Sequence, residues 1–270
     1  MIDLHSHILP ALDDGADTLE TSIEMARMAV EDGVTHMACT PHIIQGRYPN
    51  STTTVLPAMK ALQGHLDERG IPLTLVQGAD VHVIYDLPLR LRRGEIPTLN
   101  GSRYFLLEPP HQVFAPFLEE FARRLLQAGY IPVITHPERL GWIRRRYDVV
   151  RRLHQLGCPL QLTAGSLLGH FGQEAEEFTG RIIEDGMGSI FASDAHGVRV
   201  RTPRLSTAMR LVAERWGAEM AENMFERRPA IMLADGNLPS ITPRRSRRSS
   251  RVGWHQDIYA TLNVFFRAGH

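Results

Sequence analysis

Short apolar segments alternate with amphipathic helical segments along this chain, at intervals of about 30 residues. The seven apolar segments span residues 2–4, 34–40, 73–77, 104–107, 131–135, 160–163 and 189–193. Alternation of this kind predicts parallel strands joined by crossover helices. The 270 residues suit one domain of α/β-barrel size or two smaller domains, and no dinucleotide-binding glycine fingerprint is present. We therefore predict an α/β fold, a barrel of about seven βα units rather than an open sheet.

Histidines and acidic residues stand at the carboxyl ends of all these predicted strands except the sixth. The candidate ligands are His5, His7, Asp14, His42, Asp80, Glu108, His136, Asp194 and His196. Parallel barrels bring the carboxyl ends of their strands to one rim. Side chains also alternate across a strand, so His5 and His7 share a face. The sequence therefore predicts a metal centre on this rim.

These nine candidates are more than the roughly four to six ligands that one ion of this kind takes. We expect roughly two or three ions, with Asp80 or Glu108 as a bridging carboxylate. Imidazole and carboxylate ligands without thiolates favour zinc, manganese or iron. Such ions polarise phosphoryl oxygens and acidify bound water, so the expected chemistry is hydrolysis.

Arginines close to the same rim indicate an anionic substrate. Arg139 lies three residues after His136, and Arg201 follows His196 closely. A guanidinium group binds phosphate or carboxylate through paired hydrogen bonds. Arg139 and Arg201 are therefore the candidate catalytic residues that bind a phosphate or carboxylate group, against the alternative that they are exposed loop arginines.

A cysteine phosphatase mechanism does not fit the sequence. That chemistry needs a thiolate in a phosphate-cradling loop that closes on an arginine. At the corresponding positions after Cys39 and Cys158 the chain has Gln45 and Ala164. A Walker-type glycine loop is also missing from the sequence.

The composition excludes further classes of protein. A formal net charge of zero gives no electrostatic case for nucleic-acid binding. No apolar run reaches about 18 residues, so we expect no transmembrane segment. The two cysteines are too few for a disulfide framework and favour a reducing compartment. We expect a cytoplasmic protein.

The end of the chain differs from the rest. Residues 1–239 form the predicted barrel, whereas residues 240–270 are basic and rich in serine. Such a tail is typical of a segment without its own fold, and the alternative is a docking arm for an acidic partner or anionic lipid. The aromatic residues that follow the arginines could pack on a second copy of the chain, so a homo-oligomer is a further alternative.

The ordered motifs resemble those of one known family, the bacterial PHP-domain protein-tyrosine phosphatases of capsule and exopolysaccharide loci. They are Asp3-Leu4-His5-Ser6-His7, Asp13-Asp14-Gly15, Thr40-Pro41-His42, Gly78-Ala79-Asp80, Ile96-Pro97-Thr98-Leu99-Asn100, Glu108, Thr135-His136-Pro137-Glu138-Arg139 and Ser193-Asp194-Ala195-His196. The resemblance runs from Met1 to about Leu238. It implies a distorted (β/α)7 barrel of the PHP type with a metal cluster, often manganese. It also implies hydrolysis of phosphotyrosine on the tail of a bacterial tyrosine autokinase that regulates polysaccharide synthesis.

The resemblance also divides the candidate ligands among three ions. It implies one ion held by His5, His7 and Asp194, a second by Glu108 and His136 with Asp80 bridging, and a third by Asp14, His42 and His196. It also implies that Arg139 and Arg201 bind the phosphate. One residue departs from the family pattern, which has glutamate where this chain has Asp80, so the carboxylate here reaches one methylene less far.

Two other functions stay open. The same barrel and ligands suit a phosphatase of a small phosphomonoester such as histidinol phosphate. A PHP-type domain can also act as a scaffold without turnover, although the nearly complete set of ligands argues against this.

Overall fold

The structure, a computed structural model, describes residues 1–240, so the predicted tail lies outside the described residues from position 241 onwards. Within residues 1–240 the strands are β1 (Ile2–Ser6), β2 (His36–Cys39), β3 (His42–Ile44), β4 (Tyr48–Pro49), β5 (Thr74–Gln77), β6 (Asp80–His82), β7 (Tyr104–Glu108), β8 (Ile131–Thr135), β9 (Leu160–Thr163) and β10 (Gly188–Ala192). The helices are α1 (Leu19–Glu31), α2 (Thr52–Glu68), α3 (Leu87–Arg92), α4 (Leu118–Gln127), α5 (Ile143–Gln155), α6 (Ala164–Leu167), α7 (Gln173–Glu184), α8 (Ser206–Trp216), α9 (Ala218–Glu222) and α10 (Arg228–Leu233). None of these helices is both long enough and apolar enough to cross a membrane.

The strands form two sheets. One has the order β1-β2-β5, and the other has the order β10-β9-β8-β7-β6-β3-β4. Only the β3–β4 pair is antiparallel among the pairs that the structure describes. A parallel bridge between Ser6 and Ala195 joins the two sheets at the carboxyl ends of β1 and β10. The predicted α/β class is confirmed, and the division into two sheets is a distortion of the barrel.

The division into sheets comes from breaks in two predicted strands. The segments at residues 34–40 and 73–77 contain β2 and β5, and each is followed by a second strand that the sequence did not predict. His42 and Asp80, expected at the carboxyl ends of the second and third predicted strands, instead begin β3 and β6 and are register partners.

Local chemistry explains both breaks. Pro41 has no N–H to donate, so the ladder of β2 cannot continue through it. A Cβ on Gly78 would lie 2.9 Å from Thr40 Cγ2, so a larger residue there would force the two segments apart. The Asp80 N–H donates to the Pro41 carbonyl oxygen at 3.2 Å, which keeps the two breaks side by side.

The strands surround one apolar interior. Its buried side chains from β1, β2, β5, β7, β8 and β10 are Leu4, Ala38, Val76, Tyr104, Leu106, Val133 and Ile190. Because side chains alternate along a strand, Glu108 shares the inner face of β7 with Leu106. The inner faces therefore lead from the apolar interior to the carboxyl ends of the strands.

Helix α10 covers the opposite end of this interior. Its Met232 belongs to the interior cluster. Arg103, immediately before β7, donates its backbone N–H to Asp235 Oδ1 at 2.8 Å. The Tyr104 hydroxyl donates to the Gly236 carbonyl oxygen at 2.8 Å. The segment after α10 is thus fixed at the amino-terminal ends of the strands.

The other helices pack around the outside of the strands. In α4 the buried residues are Leu118, Phe121, Ala122 and Leu125. This spacing places them on one stripe of the helix, which faces the strands while its charged residues face solvent. Burial of such stripes holds the strand ends, and hence the polar residues on them, in fixed positions.

Candidate metal centre

The structure brings all nine predicted ligands together at the carboxyl ends of the strands. Together with two further histidines, they form five overlapping groups, and within each group the ligand atoms lie within 4.8 Å of one another. The groups are His7, Asp14, His42 and His196; His5, His7 and Asp80; His5, His136 and Asp194; His42, His82 and Glu108; and Glu108, His111 and His136. Overlap of this kind is what a centre with several ions and shared ligands requires.

His5, His7 and Asp194 form one corner of the centre. His5 Nε2 lies 3.1 Å from His7 Nε2, and these atoms lie 3.3 and 3.4 Å from Asp194 Oδ1. The outer ring nitrogens are held by acceptors, because His5 Nδ1 lies 2.9 Å from Gln161 Oε1 and His7 Nδ1 lies 2.6 Å from Asp13 Oδ2. Both rings therefore turn Nε2 toward the centre, as metal-binding histidines do.

β1 presents these two histidines through an irregular backbone. The register between β1 and β2 shifts between Asp3 and Ser6. Asp3 is buried and accepts hydrogen bonds from the backbone N–H and the hydroxyl of Ser193, at 3.0 and 2.5 Å. Asp3 thereby ties β1 to the turn that carries Asp194.

The Asp13-Asp14-Gly15 turn packs against His7. Asp13 accepts hydrogen bonds from the His7 ring and from the His42 backbone N–H, the latter at 2.8 Å. Burial favours the neutral form of Asp13, but the hydrogen bond and charge of His7 outweigh it and lower the pKa of this carboxyl to about 2. Asp13 is therefore an ionised support for His7.

Asp14 lies with His42 and His196. Its Oδ1 lies 3.6 Å from His42 Nε2 and 3.7 Å from His196 Nε2. Burial and the charge of His7 lower the pKa of His196 to about 2, and its Nδ1 donates to the Asp194 carbonyl oxygen at 2.9 Å. His196 is therefore neutral, with Nε2 free to act as a ligand.

Asp80 and Glu108 lie between the histidine pairs. Asp80 Oδ2 lies 3.5 Å from His5 Nε2 and 3.3 Å from His42 Nδ1. Glu108 Oε2 lies 3.4 Å from His42 Nδ1, and Oε1 lies 3.7 Å from His136 Nε2. This central position suits carboxylates that bridge two ions.

Buried atoms without hydrogen-bond partners fit a set of divalent ions. Among residues 1–240, neither oxygen of Asp80 accepts a hydrogen bond of normal geometry, and Asp194 Oδ1 and His196 Nε2 have no hydrogen-bond partner. Polar groups buried in this way are costly unless something pairs with them. Burial alone would lower the pKa of His5 and of His42. The neighbouring carboxylates outweigh burial and raise both pKa values to about 9: Asp194 and Asp80 act on His5, and Asp80 and Glu108 act on His42. The centre thus favours positive charge.

Three residues of the centre have left-handed backbone conformations. The φ angles are 33° at His136, 53° at Asp194 and 52° at Arg201. Such conformations cost non-glycine residues about 1–3 kcal/mol each and concentrate at functional sites. The Asp194 N–H donates to the His5 carbonyl oxygen at 2.9 Å, and the His196 N–H to that of Arg201 at 2.9 Å. The surrounding hydrogen bonds hold the strained turns.

The two predicted arginines converge from different loops. Arg139 Nη1 and Arg201 Nη2 both donate to Asp194 Oδ2. The guanidinium carbons lie 4.1 Å and 6.0 Å from the centre of the Phe171 ring. Both side chains are partly exposed, so an anion can reach them beside the ligands.

Sequence reasoning missed four residues that contact the centre. His82 and His111 contact Glu108, Gln161 lies against His5, and Phe171 lies against both arginines. His82 stands two residues after Asp80 on the same face of β6, so alternation would have found it only if β6 had been predicted. Gln161 and Phe171 follow no pattern that sequence alone reveals.

The fold and this site define a class of protein: an α/β barrel with a candidate metal centre of imidazole and carboxylate side chains beside an arginine pair. The chain belongs to the family described as capsular polysaccharide synthesis, CpsB/CapC, whose sequence model matches residues 1–234. The resemblance that the motifs indicate is thereby confirmed.

Individual relatives agree with this membership. The tyrosine-protein phosphatase YwqE of Bacillus subtilis is 35% identical over 254 residues, which cover 94% of this chain and 100% of the relative. A solved structure from the study of YwqE from Bacillus subtilis and CpsB from Streptococcus pneumoniae, described as unique metal-dependent tyrosine phosphatases, matches with a TM-score of 0.84 and 33% identity. It covers 92% of this chain and 100% of that one.

A more distant structure shares the fold. Histidinol phosphate phosphatase from Lactococcus lactis, crystallised with zinc, L-histidinol and phosphate, matches with a TM-score of 0.52 over 92% of this chain and 100% of that one. The identity is 11%, so the likeness concerns the fold alone.

Proposed function

We propose that this chain is a metal-dependent protein-tyrosine phosphatase that acts in polysaccharide synthesis. The observation that carries the proposal is the pair Arg139 and Arg201, which meet at the edge of a cluster of nine imidazole and carboxylate ligands. The curated relatives are named tyrosine-protein phosphatases, which supports this enzyme class over the small-molecule alternative.

Divalent ions bound here would polarise the phosphoryl group and lower the pKa of bound water. The nine side chains named above would hold the ions, and Asp80 or Glu108 would be the carboxylate that two ions share. We propose roughly two or three ions, as the ligand count requires. Manganese is the ion that the family resemblance implies.

Arg139 and Arg201 bind the nonbridging oxygens of the phosphoryl group and stabilise the charge that develops there. Phe171 supports their guanidinium groups from one side. A tyrosine leaving group has a pKa near 10, so it departs without strong help from a general acid. The arginines thus select and orient the phosphate, and the ligands set where the ions lie.

We propose that the substrate is the phosphotyrosine-bearing tail of a bacterial tyrosine autokinase, in the cytoplasm. A tail is an extended chain that can bring one side chain at a time into a rim of loops. We further propose that residues 1–239 form the catalytic unit. Every ligand and both arginines lie within it, and a chain ending at Pro239 should retain hydrolysis.

The test compares substrates under defined metal conditions. The full-length chain, reloaded with manganese, should hydrolyse a phosphotyrosine peptide with a higher kcat/KM than histidinol phosphate. Chelation should abolish the activity, and a His136→Ala variant should lose metal and turnover together. A preference for histidinol phosphate would reverse the choice of substrate, and a wild-type protein that retains no metal would support the scaffold instead.

A further inference from the structure

Two histidines outside the predicted set of ligands lie against Glu108, one on each carboxylate oxygen. His82 Nε2 is in direct contact with Oε2, and His111 Nε2 lies 3.0 Å from Oε1. Their side chains are 32% and 29% exposed, so both rings stand between the buried ligands and solvent. They extend the centre outward on the side of Glu108.

Each of the two histidines also lies beside a second imidazole. The ligand atoms of His42, His82 and Glu108 lie within 4.8 Å of one another, and so do those of Glu108, His111 and His136. Glu108 thus stands between two imidazole pairs, and Oε2 is buried without a hydrogen bond of normal geometry. A carboxylate can serve an ion on each of its oxygens.

The local structure holds both rings in place. His82 is the register partner of Glu108 between β6 and β7, so neighbouring strands fix their relative position. His111 follows Pro109-Pro110, whose rings restrict the backbone. The Trp142 indole N–H donates to the Pro110 carbonyl oxygen, and the Gly141 N–H donates to that of His111, both at 2.9 Å.

We propose that His82 and His111 are metal ligands of this chain, which give the Glu108 side of the centre an imidazole-rich shell. Imidazole ligands suit zinc and iron, whereas shells of carboxylate and water suit manganese and magnesium. This side of the centre therefore prefers zinc-like ions to manganese. The inference rests on the metal centre of the proposed function but not on its substrate.

The alternative role for these histidines is to hydrogen-bond Glu108 and orient it. A group of that kind strengthens the binding of every ion that Glu108 holds. A ligand instead changes which ion is preferred. Glutamine separates the two roles, because it keeps an N–H donor and lacks the imidazole nitrogen.

The experiment measures metal preference without substrate. The full-length chain is stripped with a chelator, and zinc and manganese affinities are measured for wild type, His82→Ala, His111→Ala, the double variant and the two glutamine variants. His65→Ala, on the exposed face of α2, is the matched control. Cobalt-loaded samples report the ligand set through their visible absorption. Circular dichroism confirms that each variant is folded.

We expect the alanine and glutamine variants to lose about a hundredfold or more in zinc affinity, because loss of an orienting group alone costs about ten- to a hundredfold. The loss for manganese should be much smaller, and the cobalt spectrum should change. The control should match wild type. An unchanged preference for zinc over manganese in the double alanine variant would overturn the proposal, as would wild-type behaviour of the glutamine variants. Failure of the wild type to hydrolyse phosphotyrosine would count against the proposed function alone.

Discussion

The backbone of Gly15 packs directly on His7. A Cβ placed on Gly15 would lie 2.1 Å from the His7 carbonyl oxygen and 2.4 Å from the His7 Cβ. Contacts this short cannot be relieved by rotation of a side chain, because one partner is backbone. Gly15 is therefore part of the support that holds His7 toward the candidate metal centre.

A Gly15→Ala substitution should displace the turn from His7, with a loss of stability of about 1–3 kcal/mol and weaker metal binding. Urea unfolding and metal titration measure the two effects. The matched control is Gly64→Ala in α2, where a Cβ meets nothing within 4 Å. That variant should be as stable as wild type or slightly more so, and an equal loss in both variants would contradict the argument.

Removal of either Arg139 or Arg201 should lower kcat/KM on a phosphotyrosine peptide by about 10²–10³-fold, because each stabilises charge on the phosphoryl oxygens. Metal content should stay close to that of wild type. Arg199→Ala, at an exposed position on the same loop as Arg201, is the control and should be neutral. Loss of bound metal in the arginine variants would instead indicate that the arginines mainly hold Asp194 in position.

Phe171 should matter through the arginines. A Phe171→Ala variant removes the ring 4.1 Å from the Arg139 guanidinium carbon. An interaction of this kind contributes about 0.5–2 kcal/mol, so kcat/KM should fall between a few-fold and about thirtyfold. Phe171→Tyr keeps an aromatic face and should restore most of the activity, whereas Phe171→Leu should not. Equal activity of the leucine and tyrosine variants would show that Phe171 contributes only packing and no interaction between its ring and the guanidinium groups.

Metal affinity should rise with pH. In the metal-free protein the pKa values of His5 and His42 are raised from 6.5 to about 9, so an incoming ion must displace their protons below that value. The apparent affinity should therefore increase up to about pH 9 and then level. Calorimetric titrations in buffers of different ionisation enthalpy measure the protons released. An affinity that does not change between pH 6.5 and 9 would contradict these pKa shifts.

The stability of the metal-free protein should have the opposite pH dependence. A raised pKa means that protonated His5 and His42 stabilise the folded state fully below about pH 6.5, and that this stabilisation is lost as the pH rises through about 9. Thermal unfolding of the chelated protein across this range is the measurement. The metal-loaded protein should show little of this loss, because the ions replace the protons.

The sequence was enough to predict that the nine candidate ligands come together, because barrel strands carry their functional residues at their carboxyl ends. That rule needs only the order of apolar segments and the residues after them. It holds for Glu108 and Asp194, which the structure places as expected. Family resemblance added the grouping of Asp14 with His42 and His196, which the distances agree with.

The rest depends on contacts between distant parts of the chain. The breaks at Pro41 and Gly78 arise because two chain segments meet side by side, which local propensity does not reveal. For this reason the sequence does not indicate His82 as a residue of the site, because it follows Asp80 on a strand that the sequence did not predict. Phe171 comes from a loop after β9, the strand without a ligand, and only folding brings it to the arginines.

The attachment of the segment after α10 determines where the chain leaves the barrel. Asp235 and Gly236 are held at the amino-terminal ends of the strands, and the metal ligands lie at the carboxyl ends. The described chain therefore ends on the face opposite the candidate metal centre, so a substrate can approach the centre without meeting residues 235–240.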